Sequence, residues 1–337
     1  MSQSRAVIFG CSGQELTAQE AEFFAAANPV GFILFARNCE TPDQLRNLTG
    51  QLRDCIKSEN APILIDQEGG RVARLRPPHW RQAPAAKAFA DLAARNMDEA
   101  LEALSLNVRL IGQELRELGI NVDCLPVLDI PQADADLVIG DRAYGTEPKQ
   151  VAALGRAACE ALLQEAVLPV IKHIPGHGRA TVDSHEFLPR VEAKLAELSA
   201  LDFVPFQALA DMPLAMTAHI VYEAIDADRP ATTSPRVVQE IIRGEIGFDG
   251  LLMSDDLSMQ ALAGSFAERT MATLEAGCDL VLHCNGEMTE MQEVAKAVSD
   301  LSAEAEEKMT KTLSLIERFE TVDKTAALAR LDELLEN

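Results

Sequence analysis

Short apolar runs alternate with longer amphipathic stretches along most of this chain. Eight runs read as strands: Ala6–Phe9, Gly31–Phe35, Pro62–Asp66, Val122–Leu128, Val167–His173, Leu214–Ile220, Gly250–Ser254 and Asp279–His283. Most are continuously apolar rather than alternating, the pattern of parallel strands covered on both faces. Between them, Ala18–Ala27, Pro42–Lys57, Met97–Leu118, Pro148–Glu165, Pro235–Arg243 and Phe266–Ala276 carry apolar residues at helical spacing. Gly119, Gly244 and Gly277 follow three of them, where a left-handed residue closes a helix. Eight strand-then-helix units predict a (β/α)8 TIM-like barrel over roughly residues 5–300. A doubly wound open sheet is the alternative, but neither G-x-G-x-x-G nor a P-loop is present. The last stretch, about residues 301–337, is rich in Ala, Glu, Lys and Leu and predicts one or two helices packed outside the barrel. No linker or composition break divides the chain, so residues 1–337 read as one catalytic domain.

Composition narrows the function classes. Hydrophobic residues are 47% and charged residues 25% of the 337, which suits a globular protein with a large core. The balance of 30 basic and 53 acidic residues, net −23, repels nucleic acid and anionic membranes. An anionic substrate would need a local basic pocket. Aromatics at 4% disfavour a β-sandwich or a stacking surface for single strands. No run approaches the length of a membrane span, and the apolar run after Met1 is too short for a signal peptide. The seven cysteines are scattered and form no C-x-x-C pair, so they read as reduced thiols of a cytoplasmic protein. With no obvious interface stripe, a monomer is expected.

In a barrel, catalytic groups project from the C-terminal ends of the strands. Here those ends carry Asp66 and Arg74, Asp129 and Arg142, Lys172 and His173, His219, and Asp255 with Asp256. After the fifth strand, Asp183 and His185 stand two apart; a carboxylate on one imidazole nitrogen fixes the tautomer and raises the basicity of the other. A loop merely held by an Asp–His bond is the competing reading. Asp255 follows Leu251-Leu252-Met253 and should reach the barrel mouth as a nucleophile, base or metal ligand. Capping the next helix is its alternative, a role Asp256 fits better, and local sequence does not separate the two. Asp66, Arg74, Arg142, Lys172 and His173 together suit a pocket for sugar hydroxyls or a carboxylate. His173-x-x-x-His177 has the spacing of two metal ligands on a helix, but Pro175 and Gly176 lie between them, so no metal is expected.

These residues resemble the signatures of family 3 glycoside hydrolases. Lys172-His173-Ile174-Pro175-Gly176-His177-Gly178, Asp183-Ser184-His185 and Ser254-Asp255-Asp256-Leu257-Ser258-Met259 carry the resemblance. Gly31–Asn38, Asp66–Val72 and Ile139–Arg142 narrow it to the bacterial β-N-acetylhexosaminidases of cell-wall recycling. The resemblance implies a retaining mechanism. Asp255 would be the nucleophile and His185, oriented by Asp183, the acid/base. Asp66, Arg74, Arg142, Lys172 and His173 would bind N-acetylglucosamine. The implied substrate is N-acetylglucosamine joined β-1,4 to 1,6-anhydro-N-acetylmuramic acid, with or without peptide, and no cofactor is implied. One departure is Arg179-Ala180, where broader family members read Asp-Thr. Three competing readings stand beside this one. They are a phosphorylase, a metal-dependent hydrolase using His173, His177 and Asp255, and a non-catalytic sugar-binding barrel.

Overall fold

Eight parallel strands close on themselves in chain order: β1 (Arg5–Gly10), β2 (Pro29–Leu34), β3 (Ile63–Ile65), β4 (Val122–Asp123), β5 (Leu168–Ile174), β6 (Leu214–Thr217), β7 (Leu251–Asp256) and β8 (Leu280–His283). The structure, a computed structural model, describes residues 3–132, 138–182 and 187–336. Closure is made where Phe9 pairs with Phe32 on one side and His283 on the other. The strands are buried almost throughout, as their unbroken apolar sequences require. Thr17 and Glu20 form a capping box before Ala18–Ala27, and Ser265 and Glu268 form another before Phe266–Ala276. Pro42 and Pro148 open their helices at positions needing no backbone donor. Among the described residues no helix is long and apolar enough to cross a membrane.

Three local expectations need correction. β4 is two residues long rather than seven, because Pro126 has no N–H to give a neighbouring strand. Pairing resumes only as an isolated bridge between Val127 and Lys172. Gly244 closes no helix; it lies inside a wide helical segment, Val237–Glu245. Gly247, at φ +78°, takes the left-handed position after it. The helix Phe266–Ala276 has its expected bounds, but Ser265 is its N-cap, so the capping role weighed for Asp255 and Asp256 falls to neither.

Two helices, Ala303–Ser314 and Lys324–Glu336, follow β8 and the helix Met288–Ala297. The second packs on Met97–Glu117, with ion pairs Lys324–Glu114 and Arg330–Glu102 along the seam.

Candidate active site

A cavity of about 400 Å³ opens at the C-terminal ends of the strands, within the usual size of small-molecule sites. Asp66, Arg74, Arg142, Lys172, His173, Asp255 and Asp256 all line it. Residues spread from position 66 to position 256 are therefore brought to one mouth by barrel closure. Asp183 and His185 lie outside the described residues. Another cavity, of about 490 Å³, sits at the opposite end beside Arg243, Asp279 and Lys308. Its cations are paired with its own acids, and it lies where β1, β7 and β8 begin.

One wall of the upper cavity is a continuous ionic network. Lys172 Nζ, 2% exposed, donates to Asp66 Oδ1 at 2.8 Å and to Glu68 Oε1 at 2.7 Å. Arg74 donates to the other Asp66 oxygen at 2.8 Å. Arg142 forks onto both oxygens of Glu68, each contact 2.8 Å. Burial alone would raise both carboxyl pKa values. Lys172 and Arg74 overcome it at Asp66, which is held well below the carboxylate range. At Glu68, Arg142 and Lys172 bring it down to about 2. Burial likewise opposes the charge on Lys172, but the two carboxylates hold it protonated, above its ordinary value.

The loop after β3 is shaped to deliver this network. Gly69 and Gly70 have φ of +95° and +55°, which turns the chain back so that Glu68 N–H meets Val72 O at 3.0 Å. A Cβ on Gly69 would stand 2.2 Å from Pro84 O. Gln67 Oε1 accepts the amides of Arg74 and Leu75, fixing the point from which Arg74 reaches Asp66. Arg71 ties this loop to the turn carrying Arg142, through Asp141 at 2.8 Å and Val138 O at 2.6 Å. Beneath lies Asp123, fully buried. Its Oδ1 accepts Gln67 N–H at 3.0 Å and its Oδ2 has no partner among the described residues. Desolvation pushes its carboxyl up to about 8.

A second carboxylate organises the end of β5. Buried Asp129 accepts His173 Nδ1–H at 2.7 Å, and its other oxygen accepts the amides of His173 and His177 at 3.2 and 2.6 Å. Nε2 is thus the His173 nitrogen available to a ligand. Burial, with His173 beside it, pushes His177 down to about 4, so it is neutral at neutral pH. His173 lies in β5 and His177 follows the Pro175–Gly176 turn, so the two share no helix. Among the described residues no three His, Cys, Asp or Glu side chains converge as metal ligands.

At the end of β7 the two aspartates separate. Asp256 turns into the following loop, where Oδ1 accepts the amides of Ser258 and Cys284 at 2.9 and 3.0 Å. It closes a turn and caps no helix. Asp255 lines the cavity, and its Oδ1 accepts Asp256 N–H at 2.8 Å.

Residues 6–318 match the model of the glycosyl hydrolase family 3 N-terminal domain. The chain belongs to that family. This family 3 hydrolase is 40% identical to the β-hexosaminidase of Methylococcus capsulatus over 282 residues, 82% of each protein. It is also 40% identical to that of Alkalilimnicola ehrlichii over 83% of this chain and 80% of the relative. The crystal structure of native NagZ from Neisseria gonorrhoeae superposes with a TM-score of 0.88 at 30% identity, over 99% of this chain and 98% of that one. The same Neisseria protein in complex with N-trifluoroacetyl-D-glucosamine gives 0.88 at 29% identity, with the same coverage. The chain is thus a glycoside hydrolase among the family's β-hexosaminidases.

Within this family 3 barrel, all six expected site residues that are described share the cavity. Two partners went unassigned in the sequence, Glu68 and Asp129. Both were visible at strand ends. The signal for Glu68 was charge balance: Arg74, Arg142 and Lys172 are three cations against one carboxylate, and buried cations require partners.

Proposed function

We propose that this hydrolase is a retaining exo-β-N-acetylglucosaminidase. It removes terminal β-1,4-linked N-acetylglucosamine from 1,6-anhydro-N-acetylmuramic acid muropeptides in cell-wall recycling, in the cytoplasm, as a single-domain monomer. The observation that carries the reading is Asp255 on the same cavity as the Asp66, Arg74, Arg142, Lys172 and His173 wall. Carboxylate and ammonium groups preset at 2.7–2.8 Å offer paired acceptors and donors to the vicinal hydroxyls of a pyranose. The sugar complex of the Neisseria relative supports an N-acylglucosamine ligand.

In the first step a carboxylate oxygen of Asp255 bonds to the anomeric carbon. The bond from that carbon to the bridging oxygen breaks, and His185 gives its proton to the leaving oxygen. In the second step water attacks the glycosyl ester, His185 takes a proton from it, and Asp255 leaves as carboxylate. Asp183 orients His185. An imidazole in this role places no second negative charge near the attacking carboxylate.

Water rather than phosphate is the expected acceptor. Arg74, Arg142 and Lys172 each already hold a carboxylate, and Arg71 is paired with Asp141. The test is nitrophenol release from 4-nitrophenyl N-acetyl-β-glucosaminide, with wild type and Asp255→Ala, in buffer free of metal and phosphate. Wild-type turnover that collapses in the variant, with the β-anomer appearing first by NMR, supports the reading. Turnover that requires added phosphate or metal overturns it.

A further inference from the structure

His219 is fully buried just beyond β6, behind the strand end that carries Asp255, and the reaction described above gives it no task. Its two ring nitrogens are both engaged. Nε2 lies 3.0 Å from the main-chain oxygen of Asp256, and Nδ1 lies 2.7 Å from Thr232 Oγ1. Thr232 Oγ1 is in turn 2.7 Å from Thr217 Oγ1. All three side chains are inaccessible to solvent.

Hydrogen-bond chemistry assigns the protons. A carbonyl oxygen only accepts, so Nε2 must carry hydrogen. Burial lowers the pKa of His219, and the nearby Asp255 carboxylate only partly opposes that. A neutral ring then leaves Nδ1 as an acceptor, which at 2.7 Å takes the Thr232 hydroxyl proton in preference to the main-chain oxygen of Ala218 at 3.2 Å. Thr232 accepts from Thr217 in its place. The relay runs Thr217 to Thr232 to Nδ1, and from Nε2–H to Asp256 O. Asp256 is consequently gripped twice, its carbonyl by His219 and its carboxylate by Ser258 and Cys284. The residue before it, Asp255, bonds its own carboxylate to the Asp256 amide.

We infer that His219, held as the Nε2–H tautomer by Thr232 and Thr217, is a positioning residue that aims the Asp255 carboxylate at the anomeric carbon. The inference rests on Asp255 being the nucleophile. An attacking atom must be in line and near contact, and a misplacement of about 1 Å can cost about 100-fold in rate. His219 does not line the cavity, so its loss should leave sugar binding alone.

The test compares His219→Ala, His219→Gln and Thr232→Val with wild type, and Asp255→Ala serves as control. Glutamine carries an amide N–H near the place of Nε2. Expected is a kcat drop of at least about tenfold in His219→Ala with KM changed less than about threefold. N-acetylglucosamine inhibition should be unchanged, and His219→Gln should recover most of the loss. Thr232→Val should fall between, and it carries the test alone if His219→Ala does not fold. The inference is overturned if His219→Gln is as slow as His219→Ala at equal Tm. It is also overturned if the loss lies in KM, or if wild-type kcat persists in His219→Ala or Thr232→Val. Activity retained by Asp255→Ala would instead remove the nucleophile reading beneath it.

Discussion

Lys172 and Glu68 are the side chains on which the ionic wall of the cavity depends most. A buried ion pair adds little over an apolar pair, but removing one partner strands the other charge out of water. Glu68→Gln leaves Arg142 and Lys172 short of a carboxylate. We expect it to cost about 3–5 kcal/mol, read from denaturant midpoints, and to raise KM more than it lowers kcat. The loss should shrink as pH falls toward 2. The folded Glu68 pKa is about 2, below the ordinary 4.5, so its stabilisation is present above 4.5 and lost as pH falls through 2. Asp123 has the opposite sign. Its folded pKa of about 8 lies above its ordinary 3.8, so unfolding releases a proton between those values and stability falls as pH rises. Asp123→Asn removes that slope. Urea midpoints at pH 5 and pH 8 should diverge in wild type and agree more closely in the variant; parallel loss would mean Asp123 is ionised in the fold.

The loops after β3 and β5 both rely on missing side chains. A Cβ on Gly178 would sit 1.9 Å from Ile130 O, a backbone atom that cannot rotate away. Gln132 N–H also reaches Gly178 O at 2.9 Å, and Arg179 anchors to buried Asp202 at 2.8 Å. This Arg179 contact gives a local reason for arginine at the position where the broader family differs. Gly178→Ala must displace that crossing, at a cost of about 1–3 kcal/mol. Turnover should fall with far-ultraviolet circular dichroism unchanged; wild-type kcat would show that the crossing yields without moving the site.

For the whole molecule, the C-terminal helices belong to the barrel's outer layer. Leu331, 2% exposed, is buried in Lys324–Glu336 where that helix packs on Met97–Glu117. Leu331→Ala should cost about 2–5 kcal/mol of stability and leave KM unchanged. The net charge of −23 acts on the substrate as well. Raising ionic strength from about 10 mM to about 150 mM shortens the screening length from about 30 Å to about 8 Å. For a muropeptide bearing carboxylates, kcat/KM should rise with salt. For the neutral nitrophenyl glycoside it should not, and equal responses would show that the global field does not reach the site.

The eight strands were legible because a parallel barrel strand is buried on both faces, and only a continuous apolar run satisfies that burial. Helix ends at Gly119 and Gly277 were legible for an equally local reason, both having the positive φ that glycine permits. Asp255, Asp66 and Lys172 stood out because charges at the ends of apolar runs must reach the rim. Long-range pairing was not legible. Nothing within a few residues of Glu68 shows that it faces Lys172 and Arg142, since those contacts span 104 and 74 positions and exist only once the barrel closes. The different settings of Asp255 and Asp256 were likewise decided by β8, whose following Cys284 amide holds the Asp256 carboxylate at the cavity wall. Residue chemistry and periodicity are properties of the chain. Which charge meets which depends on tertiary closure, because an ion pair or a hydrogen bond acts over about 3 Å and the sequence does not record that distance.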